Sequence, residues 1–308
     1  MPGQIPIHTI DLVGDVVWDT HLIVPHLPAP TAEARATSRQ RRLGGTAGHV
    51  ARWLHLLEQA GFYPTTPPTI RVWATLDSKA AAELAFCDLT GSTFVEQGAE
   101  VYVLALPDGE KAMMSYVPPD LPKRTLPSKS ALFYLSAYTL LVGDALRDIV
   151  EPCEALAAKG ALLVFDLAPL IHQMERKLVL RLVSKARVAI GNDEEWQHLF
   201  FQEKSSSRRA RAALELGAGC VHLKRGAKGA QVFWASGGGI EIVPPSTQAI
   251  NTTGAGDAYT AALLACLVAG RDDNYAARLA SFCGTLHTEQ RSDAENIAAL
   301  QNTLATMP

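Results

Sequence analysis

The sequence predicts an α/β protein built on a mostly parallel sheet with helices on both faces. Three observations carry this. From residue 126 onward, strand-like and helix-like runs alternate, the pattern of βαβ units. The strand runs, such as 161–165, are continuously apolar, as strands buried on both faces are. Hydrophobic residues make up 48% of the 308-residue chain, ample for a sizeable core.

Charge and cysteine usage narrow the class. With 28 basic and 31 acidic residues, nothing argues for a nucleic-acid or other polyanion partner. The Arg-rich stretches 35–42 and 208–211 read as solvated faces. The five cysteines, Cys87, Cys153, Cys220, Cys266 and Cys283, are scattered without metal-ligand spacing and read as reduced thiols of a cytoplasmic protein. No secretory leader pattern opens the chain. No run approaches the roughly 18 apolar residues of a membrane span.

In chain order, residues 7–13 form a first buried strand ending at Gly14. Residues 28–37 read as loop and edge strand, and 50–60 as a helix closed by Gly61. A strand over 69–76 and a helix over 78–89 follow. Runs 94–97, 99–106 and 110–117 read as strands, with Pro107-Asp108-Gly109 as a hairpin turn. Then come strand 131–136, helix 144–158, strand 161–165 ended by Asp166, helix 176–184 and strand 186–190. Strands 220–224 and 230–234 flank the turn 225–229, and 240–243 is a further strand. Helices 274–286 and 294–304 close the chain. Ligands of parallel α/β sheets sit beyond the carboxyl ends of strands, and Asp19, Asp166 and Asn192 all follow strand runs.

The stretch Asn251 to Gly270 is the most informative. It reads as a glycine turn opening directly into an Ala/Leu-rich helix that ends at Gly270. Thr252 and Thr253 can cap the turn, and Gly254 and Gly256 permit conformations that a Cβ resists. The first amides of such a helix are orphan donors at a positive dipole end, suited to phosphate. Asp257 in that first turn would repel a docked phosphate. It makes sense as a general base facing a hydroxyl that attacks the phosphate, with the amides of Ala255, Gly256 and Asp257 as an anion hole. No Lys-Ser/Thr follows the glycines, so this is not a Walker A loop.

The run Asn251-Thr-Thr-Gly-Ala-Gly-Asp257 resembles the C-terminal signature of the PfkB, or ribokinase-like, family of sugar and nucleoside kinases, which usually reads Asp-Thr-x-Gly-Ala-Gly-Asp. Other stations fall in the family's order across nearly the whole chain. The resemblance implies a single three-layer α/β/α domain over 1–308, with a small β-sheet lid formed discontinuously by about 16–43 and 94–118. It implies a cytoplasmic ATP- and Mg²⁺-dependent kinase of a small sugar or sugar-like alcohol, with no membrane or nucleic-acid partner and a homodimer through the lid. Gly14-x4-Asp19 is similar to the opening motif whose Asp binds a hydroxyl pair. Gly44-Gly45 is similar to the Gly-Gly-x-x-x-Asn substrate station, with His49 in place of Asn. Asp166 is a further candidate lining the substrate pocket.

On the nucleotide side, the resemblance implies that Asn192 and Glu195 organise Mg²⁺ through water. Lys224, Gly226, Gly229, Thr253 and Ser281 would lie along the nucleotide, with helix 274–286 beside the adenine. Three positions depart from the family. Val17 stands where a polar residue, often Asn, is usual. His49 replaces Asn, and Asn251 replaces the Asp that helps hold an activating monovalent cation. Weak or absent K⁺ activation is therefore expected. The alternatives are a nucleoside kinase, with Trp18 as a stacking surface, and a non-catalytic sugar or nucleotide binder.

Overall fold

The computed structural model describes residues 7–107, 110–119, 121–122 and 125–307. The chain begins with β1 (Thr9–Val13), β2 (Val17–Ile23) and β3 (Ser38–Gly44), then helix α1 (Thr46–Gln59). Strands β4 (Thr69–Trp73) and β5 (Thr75–Leu76), helix α2 (Ser78–Glu83), and strands β6 (Thr93–Phe94), β7 (Ala99–Ala105) and β8 (Lys111–Tyr116) follow. The alternating half contains β9 (Leu132–Ser136), α3 (Glu151–Ala158), β10 (Leu162–Asp166), α4 (Arg176–Val183), β11 (Ala186–Asn192), α5 (Asp193–Leu199), α6 (Ser206–Leu216) and β12 (Cys220–Lys224). Strands β13 (Ala230–Trp234) and β14 (Gly239–Ile242) precede helices α7 (Ala255–Val268), α8 (Asp273–Thr288) and α9 (Asp293–Thr306).

Eight strands form one sheet in the order β14-β13-β12-β11-β10-β9-β1-β4. All pairs from β4 to β12 are parallel, and β13 and β14 add an antiparallel edge. Successive side chains serve opposite faces. Leu132 and Tyr134 join the core under α1, α7 and α8, whereas Phe133 and Leu135 join the core under α3, α4 and α6. The result is the three-layer arrangement. Helix α7 is buried on nearly every side because it runs between α1 and α8. Its alanines let neighbours approach closely, and a helix apolar all round belongs inside.

A separate four-stranded sheet, β3-β2-β7-β8, forms from the first hairpin and the 99–116 ribbon. The strand expected over 94–97 does not join it. Only Thr93–Phe94 is extended, and it pairs with β5. The helix expected over 78–89 stops at Glu83. Beyond it the backbone pairs with the sheet edge: Asp88 N–H donates to Ile70 O at 2.8 Å and Val72 N–H to Asp88 O at 3.0 Å. The Asp88 carboxylate accepts from Arg71 Nε at 2.7 Å. These partners outcompete further helix. Helix 144–158 opens with a π-helical stretch, Leu146–Val150, before α3. Helix α6, capped by Ser205, was hidden by its arginines, of which Arg208 and Arg211 are exposed. The turn expected at 107–109 lies partly outside the described residues. Among the described residues no helix is long and apolar enough to cross a membrane.

Candidate active site

The carboxyl ends of β1, β10, β11 and β12 share one edge of the large sheet. The first turn of α7 stands over that edge, and the small sheet brings β2 alongside. Asp257 lies in this first turn. Burial, the largest influence, pushes its pKa up to about 7; His49 and Lys224 oppose the rise, and Asp166 and Asp19 add to it.

Asp19 on β2 is buried, and its Oδ2 lies 3.6 Å from His49 Nε2 at the start of α1. That separation allows ion pairing, but His49 Nε2 is buried without a hydrogen-bond partner. Burial lowers the His49 pKa, and Asp19 and Asp257 more than reverse it, leaving a net rise. Gly44 explains the seat of Asp19, because a Cβ at Gly44 would collide with that carboxylate. Asp19, His49 and Asp257 thus meet around one space, with an unsatisfied imidazole nitrogen in it.

Gly254 adopts φ 88° at the N-cap of α7, a left-handed conformation that favours glycine. A Cβ there would come 2.7 Å from His287 Nε2 and 3.2 Å from His49 Cδ2. Sequence reasoning missed His287. Its Nδ1 accepts from Trp53 Nε1 at 2.9 Å, so Nε2–H donates to Thr253 O at 2.7 Å. Burial holds its pKa down at about 4, so the ring is neutral and fastens the loop before Gly254. No local signal marks it, since it lies late in α8 and meets the loop only in three dimensions. Of the three expected anion-hole amides, Asp257 N–H donates to Gly254 O at 3.0 Å and Ala255 N–H to Thr252 O at 3.3 Å. Gly256 N–H has no acceptor among the described residues.

Beneath this turn lies a charged network. Lys224 Nζ donates to Asp166 Oδ1 at 3.0 Å, and Thr260 Oγ1 donates to Asp166 Oδ2 at 2.8 Å. A Cβ on Gly256 would approach Lys224 Nζ to 2.9 Å, so the ammonium supports the loop from below. Burial opposes the Lys224 charge, but Asp166 and Glu195 raise its pKa overall. Asp166 therefore stands with Lys224 rather than with Asp19 and His49. Asn192 and Glu195 form a capping box at α5. Asn192 Nδ2 and N–H donate to the two Glu195 oxygens, each at 2.8 Å. Burial raises the Glu195 pKa although Lys224 opposes it. Among the described residues no three His, Cys, Asp or Glu side chains form a metal cage.

A cleft of about 490 Å³ opens beside α8 and β14, lined by Ile242, Val243, Pro244, Ser281 and Phe282 among others. Gly229 abuts it, since a Cβ there would meet Ile242 O and Pro244 Cδ. Gly229 and Ser281 are thus brought to one cleft. Trp18 is turned away from Asp19 by strand alternation. Its Nε1 donates to Asp77 Oδ2 at 2.8 Å, and Arg41 lies 4.5 Å over its ring, so it offers no stacking face to the site.

A half-buried acid, a glycine turn, a helix N-terminus and a supporting lysine come together here, and residues 89–299 match the pfkB family carbohydrate kinases. The chain belongs to that family. It is 28% identical over 213 residues to probable fructokinase-4 of Arabidopsis thaliana, covering 63% of this chain and 65% of that protein. It is 27% identical over 286 residues to an ATP-dependent ribose-1-phosphate kinase of Halopiger xanaduensis, covering 89% of each. Its fold is similar to the Methanocaldococcus jannaschii nucleoside kinase, with TM-score 0.76 and 16% identity over 97% of this chain and 99% of that one. Thermotoga maritima ribokinase gives TM-score 0.76 and 18% identity over 96% and 99%.

Proposed function

We propose that the protein transfers the γ-phosphoryl group of ATP to a hydroxymethyl group of a small sugar or sugar-like alcohol. The observation that supports this most is Asp257 in the first turn of α7, facing the same space as Asp19 and His49. Asp19 and His49 hold acceptor hydroxyls, and Gly44 and Gly45 set the turn that presents them. Asp257 takes the proton of the attacking hydroxyl. The acceptor oxygen bonds to the γ-phosphorus, the bond from that phosphorus to the bridging oxygen breaks, and ADP leaves. The turn 254–257 with its free Gly256 amide, backed by Lys224, receives the charge of the transferring group.

The cleft beside Val243, Pro244, Ser281 and Phe282 fits an adenine, with Gly226, Gly229 and Thr253 toward the phosphates. The Asn192–Glu195 pair fits Mg²⁺ held through water, because the Glu195 oxygens already accept from Asn192 N–H and Nδ2, Asn192 Oδ1 accepts from Glu195 N–H, and Mg²⁺ keeps several waters. Bound with the nucleotide, Mg²⁺ supplies charge neutralisation. The small sheet acts as a lid that excludes competing water. Its exposed Met114 and Tyr116 suit a lid-to-lid homodimer, and a monomeric mass in solution would dismiss that dimer.

Two measurements test this reading. The base must be deprotonated, and Asp257 is protonated below about 7, so kcat/KM for acceptor-dependent ADP release should rise with pH through about 7. A flat profile, or ADP release indifferent to acceptor, would contradict the assignment. The Asn251 Oδ1 atom accepts from Thr253 N–H at 2.9 Å, which engages one of its two lone pairs within the turn, and the side chain carries no charge. The rate should be insensitive to exchanging K⁺ for a large inert cation, and strong K⁺ activation would overturn this.

A further inference from the structure

The acids of the site do not share its cations evenly. Lys224 Nζ donates to Asp166 Oδ1 at 3.0 Å, and Glu195 also acts on it. Asp19 and Asp257 form no ion pair with a Lys or Arg among the described residues. Arg42, the register neighbour of Asp19 on β3, donates to Gln290 and Gln40. Lys111 Nζ donates to the Thr253 hydroxyl at 2.9 Å, and Arg52 Nη2 meets Asp293 at 2.8 Å. On β9, Tyr134 and Tyr138 are neutral phenols whose pKa values burial pushes up.

Histidines are the remaining candidates. His21 shares a strand face with Asp19, but burial holds its pKa below the usual value. His287 is neutral because both its nitrogens are spent, one accepting from Trp53 and the other donating to Thr253 O. His49 differs. Its ring meets His287 edge-on at 5.5 Å, and its Nε2 is buried, has no hydrogen-bond partner and lies 3.6 Å from Asp19 Oδ2. The adjoining ring carbon, Cδ2, faces the α7 turn, since a Cβ on Gly254 would come within 3.2 Å of it. The same edge of the ring thus looks onto Asp19 and onto the turn that carries Asp257. A lone pair there would face carboxylates, whereas an N–H faces acceptors. The first turn of α1 disfavours a cation, and so does burial, yet Asp19 and Asp257 together leave the His49 pKa raised.

We infer that His49, as an imidazolium, is the shared counter-charge of Asp19 and Asp257 and keeps the base in its active form at neutral pH. The second half rests on the kinase reading above. His49 is then a positioning residue for the proton transfer, and the proton of the attacking hydroxyl still ends on Asp257. Losing a positive charge beside a carboxylate raises its pKa. A close opposite charge shifts a carboxyl by about 1–3 units, and the half-buried setting of Asp257 places the expected shift near one unit.

The test has two arms, both on the full-length protein. In ¹⁵N-histidine NMR, the His49 signals are those lost in His49→Asn. They should titrate above the ordinary 6.5 in the wild type and about one unit lower in Asp257→Asn. A His49 that is neutral at pH 7, or whose titration ignores Asp257→Asn, overturns the inference. The second arm is the pH profile of kcat/KM for ADP release with Mg-ATP and ribose or fructose. In His49→Asn and His49→Gln the rise should move from about 7 to about 8. Below that rise the variants should lose about tenfold more than at pH 9, as a one-unit shift implies. Profiles that stay parallel, with one loss at every pH, would leave His49 holding the acceptor only and overturn the inference while the kinase reading stands. Should neither sugar release ADP, the NMR arm decides alone, since it needs no turnover.

Discussion

Asp257→Asn lowers turnover by about 10²–10⁴-fold, the usual contribution of a positioned general base, while nucleotide binding persists. The amide keeps the shape of the first turn of α7 but cannot accept the acceptor's proton. Stability separates this from misfolding. The folded-state pKa of Asp257 is raised from 3.8 to about 7. A carboxyl with a raised folded pKa contributes stability that is fully present below its unfolded value and is lost as pH rises through its folded value. At pH 8 the wild type therefore carries a half-buried charge that Asn lacks. The variant should melt no lower than the wild type at pH 8, and the gap should narrow towards pH 5. Steady-state kinetics, nucleotide titration and melting at the two pH values check all three parts. Turnover near the wild-type level would remove Asp257 from the chemistry.

Lys224→Met should be damaging in a different way. It leaves Asp166, 4% exposed, and Glu195, 5% exposed, without the ammonium that faces them. Breaking a buried ion pair by removing one partner costs about 3–5 kcal/mol. Lys224 itself is 21% exposed in its side chain, which places the expected loss near the lower bound, about 3 kcal/mol. Denaturant unfolding should show this as a fall in midpoint at unchanged slope. Because Lys224 Nζ also supports Gly256, the KM for ATP should rise as well. The double variant Lys224→Met/Asp166→Asn, in which no charge is stranded at position 166, should recover part of the stability but not the nucleotide affinity. Recovery of both would mean that Lys224 acts on the fold alone.

The sequence made most of the large sheet legible because its strands are continuously apolar and their ends carry turn residues. Strands 220–224 and 230–234 coincide with β12 and β13. Errors fell where tertiary partners compete with local preference. Residues 84–89 read as helix, but Asp88 pairs with β4 and Arg71 instead. At the site, Asp257 and the glycine turn were visible because anion-binding helix starts have a local signature. The support of that turn was not. His287 holds Thr253 from 34 residues away, and Asp166 meets Thr260 from 94 away. Nothing in local spacing announces such contacts.

The most direct measurement is acceptor-dependent ADP formation with Mg-ATP over sugars, sugar phosphates, sugar acids and nucleosides, with the product identified by mass spectrometry and Asp257→Asn run in parallel. The expected result is a product one phosphoryl group heavier than its acceptor, formed by the wild type and nearly absent with the variant. Mg-ATP binding without a phosphorylated product from any acceptor, or equal product from the variant, would contradict a kinase that works through Asp257.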